Sequence, residues 1–370
     1  MGAVLQGIAG RGDRAEPRLE GDILRGVRPI FHAALVNGAF GDPGVCVDLK
    51  FERRAILFDI GEIAALPART ILRVTDVFVS HTHMDHFCGF DHLLRVRLGR
   101  DAGVSLYGPA NFLAQLEHKL AAYTWNLLEN YRTDMVIVAH ELAGEGRVRR
   151  ARFSSRRRFA REDLPDVRAA QGLLLETPLF RVRAVPLEHH DITSLAFSFE
   201  ESVHMNVWKN RLEELRLPTG PWLGELKRQA RAGAPDETPI GIRWRTREGS
   251  HDRTMTLGEL KRRVLEFVPG QRVCYVTDVA DNARNRSAVT EFVRGADLLF
   301  IEAVFLDADR ELAARKGHLT ARAAGSMARA AGVGAAVPFH FSSRYHGRDA
   351  ELRREFAEAW LTAQGVPQNL

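Results

Sequence analysis

The sequence predicts an α/β fold with a segment inserted into it, and three observations carry the prediction. Short apolar runs of strand length alternate with stretches of helical periodicity, once early in the chain and again late. Gly, Asp and Pro interrupt the runs where turns belong. Between the two successions, from about 205 to 270, the composition shifts to Lys, Arg, Glu, Gly and Pro, which reads as an appendage rather than core.

Taken in order, VRPIFHAALVNG, GVCVDLKF, RAILFDIGE and ILRVTDVFVS read as four successive strands. Helical spacing follows in HFCGFDHLLRVRLG and in NFLAQLEHKLAAYTWNLLENY. The second succession has strands at LFRVRAVPLE, SLAFSFEE, RVCYVTD, ADLLFIEAV and GAAVPFHF, with TARAAGSMARAAG a helix between the last two. DAELRREFAEAWLTA reads as a final helix presenting Leu352, Phe356, Trp360 and Leu361 on one face. The expected organisation is an N-terminal extension at 1–27 and one domain at 28–370, with 205–270 inserted as an arm.

Composition narrows the functional classes. At 370 residues, 45% apolar and 27% charged, the chain can bury a sizeable core. No apolar stretch approaches the roughly 18 residues of a membrane span, because GADLLFIEAVFL is broken by Asp297 and Glu302. The N-terminal stretch has no continuous apolar region and carries acids, so a secretory signal is not expected. Cys46, Cys88 and Cys274 are odd in number and widely spaced, which argues against a disulfide framework and for a cytoplasmic setting. RVRRARFSSRRRFAR, 147–161, holds eight arginines and no acid, more than the whole net charge of +5. It reads either as a patch for a polyanion such as RNA or as a solvated, partly mobile loop.

The chemistry concentrates at HTHMDH, 81–86, directly after the strand ILRVTDVFVS. In extended backbone His81 and His83 project to one side and can share a cation, while Asp85 and His86 at the start of the next helix can serve a neighbouring one. Imidazole and carboxylate are the ligands of hydrolytic zinc sites. A lone histidine is usually structural, but three histidines and an aspartate within six residues are not. Further candidates sit at strand ends: His189 (with His190 competing), Asp278 and His340. One cation would take His81, His83 and His189, and a second Asp85, His86 and His340, with Asp278 between them. Two divalent ions about 3.5–4 Å apart acidify water and clamp an in-line displacement at phosphorus, and such a centre also opens esters and lactones. Zinc suits the histidine-rich set; manganese or iron fits the same ligands.

This ligand series resembles the metallo-β-lactamase superfamily, which implies a four-layer αββα sandwich with the metals at strand ends. Within it, the chain is similar to the ribonuclease Z family over about 28–346. YGPAN (107–111), PLEH (186–189), GHLTA (317–321) and HFSSRY (340–345) resemble segments of that family, and LPTGPWLGELK (217–227) resembles its substrate-gripping arm. The resemblance implies an endonuclease removing the 3′ trailer from precursor tRNA, working as a homodimer. Gly220, Pro221 and Lys227, with Arg228 and Arg231, would contact RNA. His318 would protonate the departing 3′-oxygen or stabilise phosphate charge, with Glu302 holding its tautomer. Asp85 would orient the attacking water or take its proton. Asp59 would support a ligand histidine from behind. Arg344 is either a phosphate contact or a structural ion pair.

Two other readings stand beside this one: a hydrolase of a small phosphodiester, ester or lactone, and a metal-bound scaffold without turnover. The chain also departs from the family pattern. VNGAFGDPG replaces a Gly-Thr-Gly loop, Thr277 stands where Gly precedes the bridging aspartate, with Val279 after it, and Ser198-Phe199 replaces Gly-Tyr. Cys88 reads as a small filler on its helix, and Trp222 and Trp360 as packing residues.

Overall fold

A computed structural model describes residues 31–49, 52–100, 103–246 and 249–361. The expected extension at 1–27 lies outside them. Eight strands lie side by side in chain order in a first sheet: β1 (Phe31–Leu35), β2 (Val45–Leu49), β3 (Arg54–Phe58), β4 (Val74–Phe78), β5 (Val104–Gly108), β6 (Val136–Leu142), β7 (Arg147–Ser154) and β8 (Arg161–Arg168). The middle four run parallel and the outer pairs antiparallel. β9 (Leu173–Glu176), β10 (Phe180–His189) and β11 (Ile192–Glu201) begin a second sheet. An insertion then carries β12 (Val203–Val207), β13 (Pro239–Thr246), β14 (Gly249–Thr256) and β15 (Leu265–Pro269). β16 (Arg272–Val276), β17 (Leu298–Glu302) and β18 (Ala336–Phe339) complete the second sheet, in the order β18-β17-β16-β11-β10-β9.

The patterning explains the layers. A parallel strand in mid-sheet is covered on both faces, so β3 reads as an unbroken apolar run and Ala55 to Phe58 are all fully buried. β10 alternates instead, with Phe180, Val182 and Ala184 inward and Arg181 and Arg183 outward. Phe31, Phe58, Phe78, Phe197, Phe199 and Tyr275 meet between the sheets. Full burial of one such phenylalanine contributes about 1.5–3 kcal/mol. Helices Phe90–Arg97 and Phe112–Ala121 cover the first sheet, and Ala283–Phe292, Ala321–Ala331 and Asp349–Leu361 cover the second. This is the four-layer αββα arrangement. The last two helices pack closely because a Cβ on Gly325 would come within 2.4 Å of the Phe356 carbonyl oxygen.

Several local expectations are corrected. The stretch read as one helix from His86 splits into Met84–Phe87 and Phe90–Arg97 at Gly89, where a side chain would strike the Gly61 carbonyl. The next helix stops at Ala121, because Trp125 folds back and its indole N–H donates to the Leu120 carbonyl oxygen at 2.8 Å. Leu361 is exposed, so the buried face of the last helix is Leu352, Phe356 and Ala359, with Trp360 half-buried against it. The arginine-rich segment is only partly a loop: Arg147–Ser154 form β7, 155–160 make the turn, and Arg161 begins β8.

The insertion is a unit with its own core. β12 and β15 pair antiparallel as a two-stranded stalk, Val203 opposite Pro269. Beyond it, helices Lys209–Glu214, Trp222–Arg231 and Leu257–Val264 and the β13–β14 hairpin enclose Leu212, Trp222, Leu226, Ile240, Ile242 and Leu260. Thr256 caps the last helix, its hydroxyl accepting from the Glu259 N–H at 3.3 Å.

Candidate metal centre

The C-terminal ends of six strands converge on one edge of the sandwich. Asp59 follows β3, His81 lies just beyond β4, His189 ends β10, Asp278 follows β16, Glu302 ends β17 and His340 follows β18. Donor atoms of His81, His83, His189 and Asp278 lie within 4.8 Å of one another, as do those of Asp85, His86 and His340. Asp278 stands between the groups. Its Oδ2 is 3.5 Å from His81 Nε2 and 3.5 Å from His189 Nε2, while its Oδ1 is 3.3 Å from His86 Nε2 and 3.0 Å from His340 Nδ1. Asp85 Oδ2 is 3.5 Å from His86 Nε2 and 3.4 Å from His340 Nε2. All seven residues named from the sequence as ligands are therefore brought together, and His189 rather than His190 is the one that faces inward.

The donor set fits divalent cations. His81 Nε2, His86 Nε2 and His340 Nδ1 are buried with no closer partner than the Asp278 oxygens 3.0–3.5 Å away, which are out of line for a good hydrogen bond, an arrangement that a cation between them would complete. Burial and the neighbouring His86 push the His81 pKa down to about 2, which keeps the ring neutral, the form that binds metal. Burial opposes charge on His86 too, but the Asp278 and Asp59 carboxylates outweigh it and raise its pKa to about 10. A pocket that attracts a proton so strongly also attracts a cation in its place. Asp59, Asp278 and His340 all have left-handed backbone, with φ of 55°, 45° and 59°. Such conformations cost about 1–3 kcal/mol each and gather at functional sites.

A second layer of contacts fixes the rings. Asp59 Oδ2 accepts from His86 Nδ1 at 2.8 Å, from the Tyr275 hydroxyl at 2.8 Å and from the Ser80 hydroxyl at 2.7 Å, and Asp59 Oδ1 accepts from the Ser80 N–H at 2.6 Å. With its Nδ1 so engaged, His86 turns Nε2 to the cluster. His189 is set likewise by the Gly317 carbonyl oxygen, 2.9 Å from Nδ1. A Cβ on Gly317, at φ 67°, would come within 3.1 Å of that ring. Thr277 donates its hydroxyl to Asp278 Oδ1 at 2.9 Å, so the side chain in the place of the family's glycine is part of the network. Tyr275 and Ser80 escaped the sequence reading. Ser80 has a signal in its position just before His81; Tyr275 has none beyond lying on an apolar strand.

His318 Nδ1 lies 2.8 Å from Glu302 Oε2, and Glu302 Oε1 accepts from the Val279 and Leu319 N–H groups at 2.9 and 3.2 Å. Burial disfavours the charged imidazole, but the Glu302 carboxylate more than offsets this and raises the His318 pKa. Cys88 is neither core filler nor ligand. Its half-buried thiol donates to Asp42 Oδ2 at 3.4 Å, and burial together with that carboxylate pushes its pKa up to about 11.

Other candidates lie elsewhere. Arg344 Nη1 is 3.5 Å from Asp309 Oδ1. Gly220 and Pro221 lead into helix Trp222–Arg231, whose half-buried Lys227 and Arg231 face Glu201 of the body. Within the arginine-rich hairpin, Arg149 pairs with Glu141 at 3.1 Å, Arg157 with Glu162 at 3.0 Å and Arg161 with Asp163 at 2.7 Å. Much of its charge is thus spoken for.

Comparison with known proteins agrees with this site. A profile described as "Beta-lactamase superfamily domain" matches residues 241–341, the stretch holding Asp278, Glu302, His318 and His340. Ribonuclease Z of Deinococcus radiodurans is 31% identical over 319 residues, covering 83% of this chain and 91% of that protein. The chain belongs to the ribonuclease Z family. Ribonuclease Z of Nocardia farcinica is 30% identical over 330 residues, covering 86% of this chain and 88% of its own. The crystal structure of unliganded yeast PDE1 has the same fold, with a TM-score of 0.51 at 10% identity over 90% of this chain and 94% of that one. As a ribonuclease Z-like protein, the chain is a metal-dependent hydrolase of the endoribonuclease kind.

Proposed function

We propose that this protein removes 3′ trailers from precursor tRNA using two divalent cations, zinc by preference, in the cytoplasm. The observation that supports it most is the meeting of two ligand groups across Asp278 in a chain with ribonuclease Z relatives along most of its length. Cations held by His81, His83 and His189 and by Asp85, His86 and His340, with Asp278 shared, would supply acidified water and neutralise phosphate charge. The remaining steps fall to the chain's own groups. Asp85, whose side chain is 45% exposed beside the fully buried His86, is placed to orient the attacking water and take its proton. His318, with Nδ1 committed to Glu302, has Nε2 left to give a proton to the departing 3′-oxygen. Asp59 positions His86. Arg344 would leave Asp309 for a substrate phosphate, a match guanidinium makes bidentately.

Gly220, Pro221 and Lys227 belong to an arm that reaches RNA, and the protein works as a homodimer in which one subunit's arm serves its partner's centre. Contacts through Lys227 would be salt-sensitive and blind to sequence, which suits recognition of tRNA by shape. No described helix is long and apolar enough to cross a membrane. Cleavage of a 3′-extended precursor tRNA by purified, metal-quantified protein tests the proposal, with Asp85→Ala as control. A discrete cut beside the discriminator base, lost in the control, is the expected result. A metal-loaded protein that makes no cut would leave the fold and centre standing and remove the substrate.

A further inference from the structure

Two cavities flank the ligand cluster, and they differ in chemistry. The narrower, about 260 Å³, is bordered by Phe40, Asp42, Asp85, Lys316, His318 and His340. The wider, about 550 Å³, is bordered by His83, His189, His190, Asp191 and Ile192. A phosphodiester lying across the cluster sends one nucleoside to each side. We propose that the narrow cavity takes the nucleoside whose 3′-oxygen departs, its base against Phe40 and its upstream phosphate at Lys316, while the wide cavity admits the first trailer nucleotide without reading it. This rests on the ribonuclease reading above.

The polarity follows from His318. His318 borders the narrow cavity and not the wide one, and although Asp85 borders the narrow cavity too, the role of His318 as acid toward the leaving oxygen assigns the leaving nucleoside to the narrow side. Size agrees, since 260 Å³ is below the range of pockets for drug-sized ligands and suits one nucleoside. Phe40 supplies the surface for the base. Its ring is held half-buried, stacked on His346 at 4.5 Å and 18°, and edge-on to Phe341 at 5.4 Å and 84°. A ring fixed in this way loses little freedom when a base lies on it, and base–aromatic contact tolerates any base. Lys316 is exposed at the same cavity and has no ion pair among the described residues, leaving its ammonium for a phosphate. The wide cavity offers imidazole rings but no phenyl ring and no lysine, and both cavities carry carboxylates, Asp191 in the wide one and Asp42 and Asp85 in the narrow one, so Phe40 and Lys316 are what separate them. Phe40 lies in VNGAFGDPG, the loop in which the family's Gly-Thr-Gly pattern is not kept.

The test pairs a change in the protein with a change in the substrate. Precursor tRNA is made intact, with an abasic site at the last retained nucleotide, or with one at the first trailer nucleotide. Each is cleaved by metal-loaded full-length protein and by Phe40→Ala, Phe40→Tyr and Lys316→Ala. The retained-side abasic site should raise KM about tenfold in the wild-type protein, the size of one stacking contact. It should add less than about twofold in Phe40→Ala, with the sensitivity restored in Phe40→Tyr. Lys316→Ala should raise KM for every substrate by a similar factor, and the trailer-side abasic site should matter little throughout. A retained-side effect that persists undiminished in Phe40→Ala, or a dominant trailer-side effect, overturns the assignment while leaving the ribonuclease intact. If metal-loaded wild-type protein fails to cut the intact precursor, the ribonuclease reading falls and this assignment with it.

Discussion

Asp59 never touches the cations its neighbours are shaped to hold, yet it sets the ring that faces them. It accepts from His86, Tyr275 and Ser80, all buried, so no water can replace it cheaply. Asp59→Asn keeps the shape and removes the charge behind His86. Loss of such a supporting partner lowers metal affinity about 10–100-fold, and competition with a chromogenic chelator would read it. Unchanged affinity would show that His86 is held by packing alone. The convergence of the candidate ligands was legible in the sequence because their spacing is a local property: HTHMDH places four donors with little help from tertiary structure. The supporting contacts were not, because Tyr275 and Asp59 lie 216 residues apart and meet only when the sheets pack. Thr277 shows the same limit. Measured against a family pattern it is a departure, and only its hydrogen bond to Asp278 reveals it as a participant.

Among the elements, strands and helices of the two halves follow from periodicity, and the errors fall where tertiary contacts override it. HFCGFDHLLRVRLG has the spacing of one helix, but Gly89 must pass against Gly61 and the helix divides there. Arg97 ends the second piece fully buried, donating to the Val74 and Gly103 carbonyl oxygens at 2.6 and 2.8 Å, a role that periodicity cannot assign to an arginine. The arginine-rich segment reads as a free basic patch only while its acids are unseen. Glu141, Glu162 and Asp163 come from the segment's own flanks, and folding into β7 and β8 brings them across. The arm's helix Trp222–Arg231 makes an element-scale prediction. Leu226 is fully buried in the arm's separate core, so Leu226→Ala should cost about 2–5 kcal/mol of arm stability. Hydrogen exchange should then quicken in 203–269 and stay unchanged in the two sheets. Equal acceleration in both would mean that arm and body unfold as one.

For the molecule as a whole, the αββα sandwich carries the ligand cluster and the arm is a separate packing unit inserted into it. The division was visible in composition, since 205–270 lacks the long apolar runs on either side of it. That the arm has a core was not visible, because its buried residues are scattered through three helices and a hairpin. Removing 203–269 and joining Ser202 to Gly270 by a short turn should leave metal content and hydrolysis of a generic phosphodiester in place. Cleavage of precursor tRNA should be lost. Retained tRNA cleavage would move recognition into the body. The stalk also bears on how such a protein changes over generations. The chain leaves and re-enters the body through one antiparallel pair, with Val203 opposite Pro269, so the seam between the two parts is a single strand pairing. A replacement arm has that pairing and the charge of Glu201 opposite Lys227 and Arg231 to match, and exchange there leaves the register of β10, β11 and β16 untouched. An arm can therefore be exchanged at this seam as a cassette while the sheets beneath it keep their pairing.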